Sequence, residues 1–259
     1  VITSPFLLRR MKNDVLKDLP KKQEQVLFVK MDPEQQTLYN NMLKSIKHEL
    51  ERKSNRFEIK SNSIMLNGLL YLQEICCHPA LLEQFEQTKG ISSAKMELLF
   101  EVIEPLYEAG HKIVIFSRFT KMLKLIEKRL LREHKNTFYL DGQTKNRMNI
   151  IDEFEQNKIG IFLISLKAGG TGINLTSADI GIIYDPWWNP AIEKQAEDRL
   201  YRIGQKNSVI IYRLITEGTI EEKVQELKEK KMDITMQLLE GHEVPTSITK
   251  EMMMKLLFD

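Results

Sequence analysis

Three short segments in the second half of the chain contain residue types that bind anions or carry positive charge. The first is KAGGTGINL at residues 167–175, where three glycines occur in four positions. Glycine adopts positive φ angles at little cost and lets backbone N–H groups approach a ligand closely, so a phosphate could bind here. A tight turn without a ligand explains the same residues, and one glycine cluster does not decide between the two.

The second segment, DPWWNP at residues 185–190, contains both tryptophans of the chain. Asn189 followed by Pro190 is typical of a helix start, because Asn caps the first turn and Pro needs no hydrogen-bond donor there. We expect two adjacent tryptophans in a loop to face different sides, so that at least one is exposed for stacking or for docking against another domain. Packing in the core is the alternative use of these rings.

The third segment, QAEDRLYRIGQ at residues 195–205, follows on a helix predicted over 190–201. On that helix Gln195, Arg199 and Arg202 lie at i, i+4 and i+7 and share one face. Two guanidinium groups on one face repel each other unless an anion lies between them. A carboxylate of the same helix could be that anion, and so could a triphosphate supplied by another domain.

These segments lie where an α/β fold places its ligand-binding residues. Apolar runs typical of buried strands alternate with helical patterns in the second part of the chain. The strands are predicted at 112–117, 137–141, 159–165, 180–185 and 208–214, and the helices at 95–107, 120–133, 145–156 and 190–201. This alternation indicates a mostly parallel sheet with helices on both faces, and such sheets bind ligands beyond the carboxyl ends of their strands.

The flanking regions are predicted to be mainly helical. Apolar residues recur at helical spacing over 33–52 and 64–78, a polar segment at 87–93 predicts a linker, and a last helix is predicted over 220–239. Residues 1–60 carry a net charge of +5, although the net charge of the whole chain is only +2. A solvated helical surface and a nucleic-acid-binding surface both explain this local excess.

The composition indicates a folded globular protein. Of 259 residues, 42% are hydrophobic and 29% charged, which excludes collagen-like, low-complexity and wholly disordered classes. No apolar run reaches the ~18 residues that span a bilayer and the start VITSPFLLRR is not a signal sequence, so we expect an intracellular protein without a membrane partner. The start without Met indicates a piece of a longer protein. Adjacent Cys76 and Cys77 predict a reducing compartment, and no further Cys or His pair completes a metal site with them.

The three segments occur in a fixed order after two others, IFSRFT at 115–120 and YLDGQT at 139–144. This ordered set resembles the second motor lobe of the Swi/Snf-type helicase-like ATPases of superfamily two. The start FLLRRMKNDVLKDLP at 6–20, CHP at 77–79 and GTIEE at 218–222 are also similar, so that the resemblance covers essentially the whole chain. A dinucleotide-binding domain is excluded, because its glycines would follow the first strand and not the third.

The resemblance implies an α/β fold in three regions. Residues 1–90 would form a helical linker and protrusion, residues 91–219 a RecA-like second motor lobe with a parallel sheet flanked by helices, and residues 220–259 a brace helix and tail. Both added regions would lie near duplex DNA, which agrees with the positive charge of the first sixty residues.

The resemblance also implies roles for individual residues. Arg199 and Arg202 would be arginine fingers that stabilise charge on the γ-phosphate of ATP. The nucleotide-binding residues would be Gln195, Gly170 and Gly172, and the DNA-binding residues would be Ser117, Arg118, Gly142, Ser165, Lys167 and Trp188. Three positions depart from the family pattern: Arg118 stands where Gln is usual, Leu166 where Thr is usual, and Tyr201 where His is usual.

The implied function is that of the second lobe of an ATP-dependent translocase on double-stranded DNA. ATP and Mg²⁺ would be held mainly by the first RecA-like lobe of the same protein, because this chain has no GxxxxGK(S/T) phosphate loop and no Asp-Glu pair after an apolar strand. We therefore expect this chain alone to be inactive as an ATPase. The other partners would be double-stranded DNA and a DNA-bound protein substrate, in the nucleoid or the nucleus. The alternative is a non-catalytic module that binds DNA or a protein.

Overall fold

The computed structural model describes residues 20–53, 58–82, 84–88, 90–169, 172–237 and 250–258. A six-stranded parallel sheet lies at its centre, in the spatial order β1-β6-β5-β2-β4-β3. The strands are β1 (Lys22–Val29), β2 (Lys112–Ser117), β3 (Thr137–Leu140), β4 (Gly160–Ser165), β5 (Ile180–Ile183) and β6 (Val209–Thr216). The helices are α1 (Pro33–Lys53), α2 (Glu58–Cys77), α3 (Ala94–Glu108), α4 (Thr120–Arg132), α5 (Arg147–Gln156), α6 (Leu166–Gly169), α7 (Pro190–Glu197), α8 (Ile220–Gln237) and α9 (Lys250–Phe258). Among the described residues, no helix combines the length and the apolar character that crossing a membrane requires.

The central strands are apolar because helices cover both faces of the sheet. All residues of β2, β4 and β5 are buried, as is usual for parallel strands between two helical layers. Alternate residues of β2 point to opposite faces. Ile113 and Ile115 pack into a core with α3 and α4, whereas Val114 and Phe116 pack into a core with α5 and α7. The predicted parallel sheet between helices is therefore confirmed.

A third core lies beside the sheet and joins the helices from the two ends of the chain. It contains residues of α1, α2, α8 and α9, among them the fully buried Leu72 and Ile75. Gly68 lets α2 approach α1 closely, since a Cβ atom at this position would lie 2.9 Å from the side chain of Ile46. The helical region near the N-terminus and the last helices therefore share one apolar core.

A buried ion pair connects this third core to the sheet. The side chains of Lys95 on α3 and Glu221 on α8 are 0% and 1% exposed. The Lys95 ammonium donates to Glu221 Oε2 and to the carbonyl of Tyr184, the latter at 3.3 Å. The same Glu221 oxygen accepts the backbone N–H of Thr216 at 2.9 Å. Because buried charges are tolerated only with such partners, the pair fixes the start of α8 against the end of β6.

The prediction that residues 1–90 are mainly helical is incomplete, because this region also contains strand β1. β1 pairs in parallel with β6, from Lys22 opposite Val209 to Val29 opposite Thr216. The sequence pattern does not predict this strand because its first half, KQEQ, is polar. The sheet therefore takes one strand from the N-terminal region, and the division of the chain at residue 90 remains a prediction. Helix α9 is likewise absent from the prediction.

Candidate functional site

The ends of β2 and β4 bring two of the predicted DNA-binding residues side by side. Ser117 and Ser165 are register partners, and both are buried. Ser117 Oγ accepts the N–H of Phe119 at 3.1 Å, and Ser165 Oγ accepts the N–H of Ala168 at 3.3 Å. Each hydroxyl thus stabilises the turn that follows its strand. Direct phosphate contacts by these two hydroxyls remain a prediction.

Arg118 points into the protein and not into a surface groove. Its side chain is 10% exposed, and its guanidinium donates to Gln73 Oε1 on α2. The guanidinium carbon lies 4.6 Å from the ring centroid of Trp187 and 5.6 Å from that of Trp188. Burial lowers the pKa of Arg118, and the surrounding carboxylates oppose this effect. A DNA contact by Arg118 remains a prediction, and it requires the side chain to leave this cluster.

The expectation that the two tryptophans face different sides is wrong. Their rings stack with centroids 3.7 Å apart and an interplanar angle of 26°, and both residues are half-buried. The Arg118 guanidinium lies over both rings, and this favourable contact holds the two rings on the same side of the loop. Trp188 also packs against the third core. These contacts agree with the packing alternative, and the role of Trp188 in DNA binding remains a prediction.

Asp185, two residues after the end of β5, holds the turn that carries Arg118. Asp185 Oδ2 accepts the backbone N–H of Arg118 at 3.1 Å and lies 3.7 Å from Arg118 Nε. Burial raises the pKa of Asp185 from 3.8 to about 6, since the loss of hydration outweighs the nearby guanidinium charge. The motif DPWWNP contains Asp185 but does not predict this role, although an acidic side chain near the carboxyl end of a buried strand indicates a site residue.

Other predicted contacts lie at the surface of the same sheet edge. Gly142 is exposed in the turn after β3, where Asp141 Oδ1 accepts the N–H of Gln143 at 2.9 Å. Lys167 is exposed on the short helix α6. Leu166, beside it, is buried in the core with α5 and α7. The surface therefore offers the backbone at Gly142 and the ammonium group of Lys167 to a polyanion.

The glycine segment is described only in part. Gly172 has a φ of +59°, a left-handed conformation that favours glycine, and a Cβ atom there would meet nothing within 4 Å. Gly170 lies outside the described residues. Leu175, at the end of the segment, donates its N–H to the carbonyl of Arg199 at 3.0 Å. The glycine segment and Arg199 are therefore neighbours.

The predicted helix over 190–201 starts as expected but ends early. Asn189 Oδ1 accepts the N–H of Ala191 at 3.0 Å, which confirms the cap. α7 ends at Glu197 because the hydrogen bonds change to three-residue turns there: the N–H of Arg199 donates to the Ala196 carbonyl at 3.1 Å, and that of Leu200 to the Glu197 carbonyl at 3.0 Å. Beyond the helix, the Arg199 carbonyl accepts the N–H of Leu175, as described above. The Leu200 carbonyl accepts a hydrogen bond from the side-chain amide of Gln205 at 3.2 Å.

Gln195, Arg199 and Arg202 therefore do not share one helical face. Gln195 lies on α7, and the two arginines lie in the turns that follow this helix in the sequence. Gln195 and Arg202 are exposed and Arg199 is half-buried. The Glu197 carboxylate contacts Lys22 and Arg213, so it is not the anion between the two arginines.

The exposed Arg202 and the open space at Gly172 suit an anion better than they suit a metal ion. Arg202 is an exposed cation, and the left-handed Gly172 leaves its surroundings clear. Over the described ranges, no three His, Cys, Asp or Glu side chains form a group that could hold a metal ion. Cys76 and Cys77 are fully buried in the apolar cores, and His78 Nδ1 accepts the N–H of Ala80 at 3.1 Å.

Comparisons with known proteins agree with this architecture. Residues 94–204 match the model of the helicase conserved C-terminal domain, and residues 1–81 match the model of the SNF2-related domain. The solved Sulfolobus solfataricus SWI2/SNF2 ATPase C-terminal domain is 30% identical with a TM-score of 0.71, over 91% of this chain and 98% of that one. The Sulfolobus solfataricus SWI2/SNF2 ATPase core in complex with dsDNA is 35% identical with a TM-score of 0.73, over 98% of this chain and 54% of that one.

Curated relatives are longer than this chain. DNA excision repair protein CSB of Oryza sativa subsp. japonica is 42% identical over 86% of this chain, which spans 19% of that protein. The putative ATP-dependent helicase/translocase YwqA of Bacillus subtilis is 36% identical over 95% of this chain, which spans 27% of that protein. The match therefore covers about a fifth to a quarter of each relative.

Proposed function

Because the chain belongs to the Swi2/Snf2 family of helicase-like ATPases, as the C-terminal RecA-like lobe, we propose that it is the second motor lobe of an ATP-dependent translocase on double-stranded DNA. The observation that carries this proposal is the exposed Arg202 in a fixed turn, three residues after Arg199, whose carbonyl contacts the glycine segment. The backbone N–H of Gln205 donates to the Arg202 carbonyl at 3.0 Å. The buried side chain of Gln205 then ties the turn to the Ala178 carbonyl at 2.8 Å. Arg202 is thus presented to solvent from a rigid base.

In this proposal the chain supplies charge stabilisation to a site completed by the first lobe of the same protein. ATP supplies the phosphoanhydride bond that is cleaved. The Arg202 guanidinium, with Arg199, would stabilise the negative charge that develops at the γ-phosphate, and Gln195 would contact the nucleotide. Mg²⁺ would be held mainly by the first lobe, and in the described part of this chain no three His, Cys, Asp or Glu side chains form a group that could hold a metal ion.

DNA would bind across the carboxyl ends of the strands. Lys167 and the backbone at Gly142 are exposed there and suit phosphate oxygens, which are bound without reading sequence. A solved relative that is a SWI2/SNF2 ATPase core in complex with dsDNA supports this assignment. The site of action would then be the nucleoid or the nucleus, where the DNA is.

The test is ATP hydrolysis by the protein containing both lobes, with and without duplex DNA. Arg202→Ala is expected to lower the DNA-stimulated kcat by at least about 100-fold, as loss of an arginine finger does. Lys206→Ala, which removes an exposed cation four residues later, is the matched control and is expected to leave kcat unchanged. Unchanged hydrolysis in the Arg202 variant would refute the arginine-finger assignment.

The same assay separates the motor from the non-catalytic alternative. We expect activity only when this chain is joined to the first lobe and DNA is present. No activity in the joined protein would favour a module that binds DNA or a protein. Activity of this chain alone would mean that the catalytic residues lie elsewhere.

A further inference from the structure

A cluster of six charged side chains lies on the buried face of α7, opposite the exposed Gln195. This ionic cluster joins β1, β6, α7 and α8, and its members are Lys22, Glu24, Glu193, Glu197, Arg213 and Lys228. Resting on the function proposed above, we infer that Arg213 is a positioning residue for ATP hydrolysis. It holds α7, and with it the arginine turns, in the orientation that hydrolysis requires.

Glu193 connects the first turn of α7 to α8 and to the tryptophan loop. Lys228 Nζ lies 2.9 and 3.0 Å from the two Glu193 carboxylate oxygens, and the backbone N–H of Trp187 donates to Glu193 Oε1 at 2.6 Å. Arg213 Nε lies 3.6 Å from Glu193 Oε2. The Glu193 side chain is only 4% exposed, so these contacts replace its hydration.

Glu197, one helical turn after Glu193, binds a different nitrogen of the same Arg213 guanidinium. Arg213 donates through Nη2 to Glu197 Oε1, while Lys22 Nζ donates to Glu197 Oε2 at 2.6 Å. Arg213 Nη1 donates to Glu24 Oε2 at 2.7 Å. Burial lowers the pKa of Arg213, but the surrounding carboxylates outweigh burial and raise it overall. One planar guanidinium thus contacts three carboxylates.

The inner face of α7 depends on these charges because it has little apolar surface. Its buried residues are Glu193, Ala196 and Glu197, and the half-buried Ile192 packs against the core with α5. Apolar packing is non-directional and tolerates small rotations, whereas hydrogen bonds to a planar guanidinium fix angles as well as distances. Glu193 and Glu197 lie at i and i+4, so their common partner Arg213 sets the rotation of the helix about its axis. The turns with Arg199 and Arg202 continue directly from this helix.

The decisive variant is Arg213→Lys in the protein containing both lobes. Lysine keeps the charge, but its single ammonium cannot reproduce two hydrogen bonds, to Glu24 and Glu197, together with the close contact to Glu193 in one plane. We expect kcat for DNA-stimulated hydrolysis to fall roughly 10- to 100-fold, the size of effect that a displacement of about 1 Å causes. The DNA dissociation constant and the thermal midpoint are expected to stay close to those of the wild type. A fall in the thermal midpoint with unchanged kcat per folded molecule would overturn the inference.

Arg129→Lys is the matched control, because Arg129 also bridges two carboxylates. It contacts Glu97 at 2.7 Å and Glu133 at 3.2 Å from α4, and it lies outside the ionic cluster. No change in kcat is expected for this variant. If Arg213→Lys does not fold, Glu197→Gln serves instead, since it keeps the shape and removes the charge opposite Arg213.

Combination with Arg202→Ala separates this inference from the proposed function. If Arg213 acts through the arginine turn, Arg213→Lys costs no further activity in the Arg202→Ala background. An equal loss in both backgrounds would show that Arg213 does not act through Arg202, and would overturn the inference. If kcat falls in Arg202→Ala but not in Arg213→Lys, only the positioning role of Arg213 is refuted. Full activity of Arg202→Ala would refute the arginine-finger assignment on which this inference rests, whereas inactivity of the joined wild-type protein would refute the proposed function itself.

Discussion

The buried ion pair of Lys95 and Glu221 leads to a sharp prediction about stability. Removal of one partner leaves the other charge in a site that is 0–1% exposed. Losing one member of a buried pair costs about 3–5 kcal/mol, because the remaining charge is neither hydrated nor paired. We therefore expect the free energy of unfolding to fall by that amount in both Lys95→Met and Glu221→Gln.

The double variant is expected to be more stable than either single variant. Once the ammonium is gone, a neutral Gln at position 221 leaves no buried charge and can still accept the Thr216 N–H. Pairs replaced by uncharged groups of similar size are often neutral in stability. The two losses are therefore strongly non-additive, with a coupling free energy of several kcal/mol in a double-mutant cycle.

Urea unfolding measures the free energies of unfolding that test this prediction. The stacked Trp187 and Trp188, the only tryptophans of the chain, provide a fluorescence signal for the folded state. Lys124→Met is the control, because Lys124 forms a surface pair with Glu127 at 2.8 Å and its side chain is 55% exposed. The control is expected to lose less than about 1 kcal/mol. Single-variant losses as small as the control's, or additive losses in the double variant, would refute the reasoning.

Two further predictions concern the sheet edge. Because the pKa of Asp185 is higher in the folded protein, the folded state holds more protons than the unfolded state between pH 3.8 and about 6. The free energy of unfolding of the wild type, measured against that of Asp185→Asn, therefore falls by about 3 kcal/mol as the pH rises through this window. Gly172→Ala is expected to lose about 1–2 kcal/mol in urea unfolding because of its positive φ. Gly142→Ala, with equal space and no positive φ, is expected to lose far less. Equal losses at the two glycines would contradict the conformational argument.

Much of the sheet can be predicted from the sequence because central parallel strands are apolar at nearly every position. The run KIVIFS at 112–117 coincides with β2, and the runs at 137–141, 159–165, 180–185 and 208–214 differ from the observed strands by at most two residues at either end. The position of the candidate site at the carboxyl ends of these strands follows from the same pattern. The cap by Asn189 is also local and predictable.

The remaining features depend on residues that are distant in sequence. Beyond α7, the Arg199 carbonyl accepts the N–H of Leu175 from an earlier segment, a contact that the helical period of 190–201 does not reveal. The inward position of Arg118 depends on Gln73, 45 residues away. Glu197 binds Lys22 across 175 residues. A periodic pattern predicts which face of a helix or strand is apolar, but it does not predict which charged side chains contact each other in the folded protein.

Strand β1 has a consequence for how the chain folds during synthesis. Glu24 on β1 and Arg213 on β6 are hydrogen-bonded across 189 residues. At ~5–20 residues per second, roughly 10–40 s pass between their translation, and β1 has no neighbouring strand during that time. Unpaired strands recruit other chains when they are apolar, and charged or polar residues prevent this. The polar half of β1, which hides the strand from pattern analysis, thus keeps the nascent chain from aggregating until β6 is made.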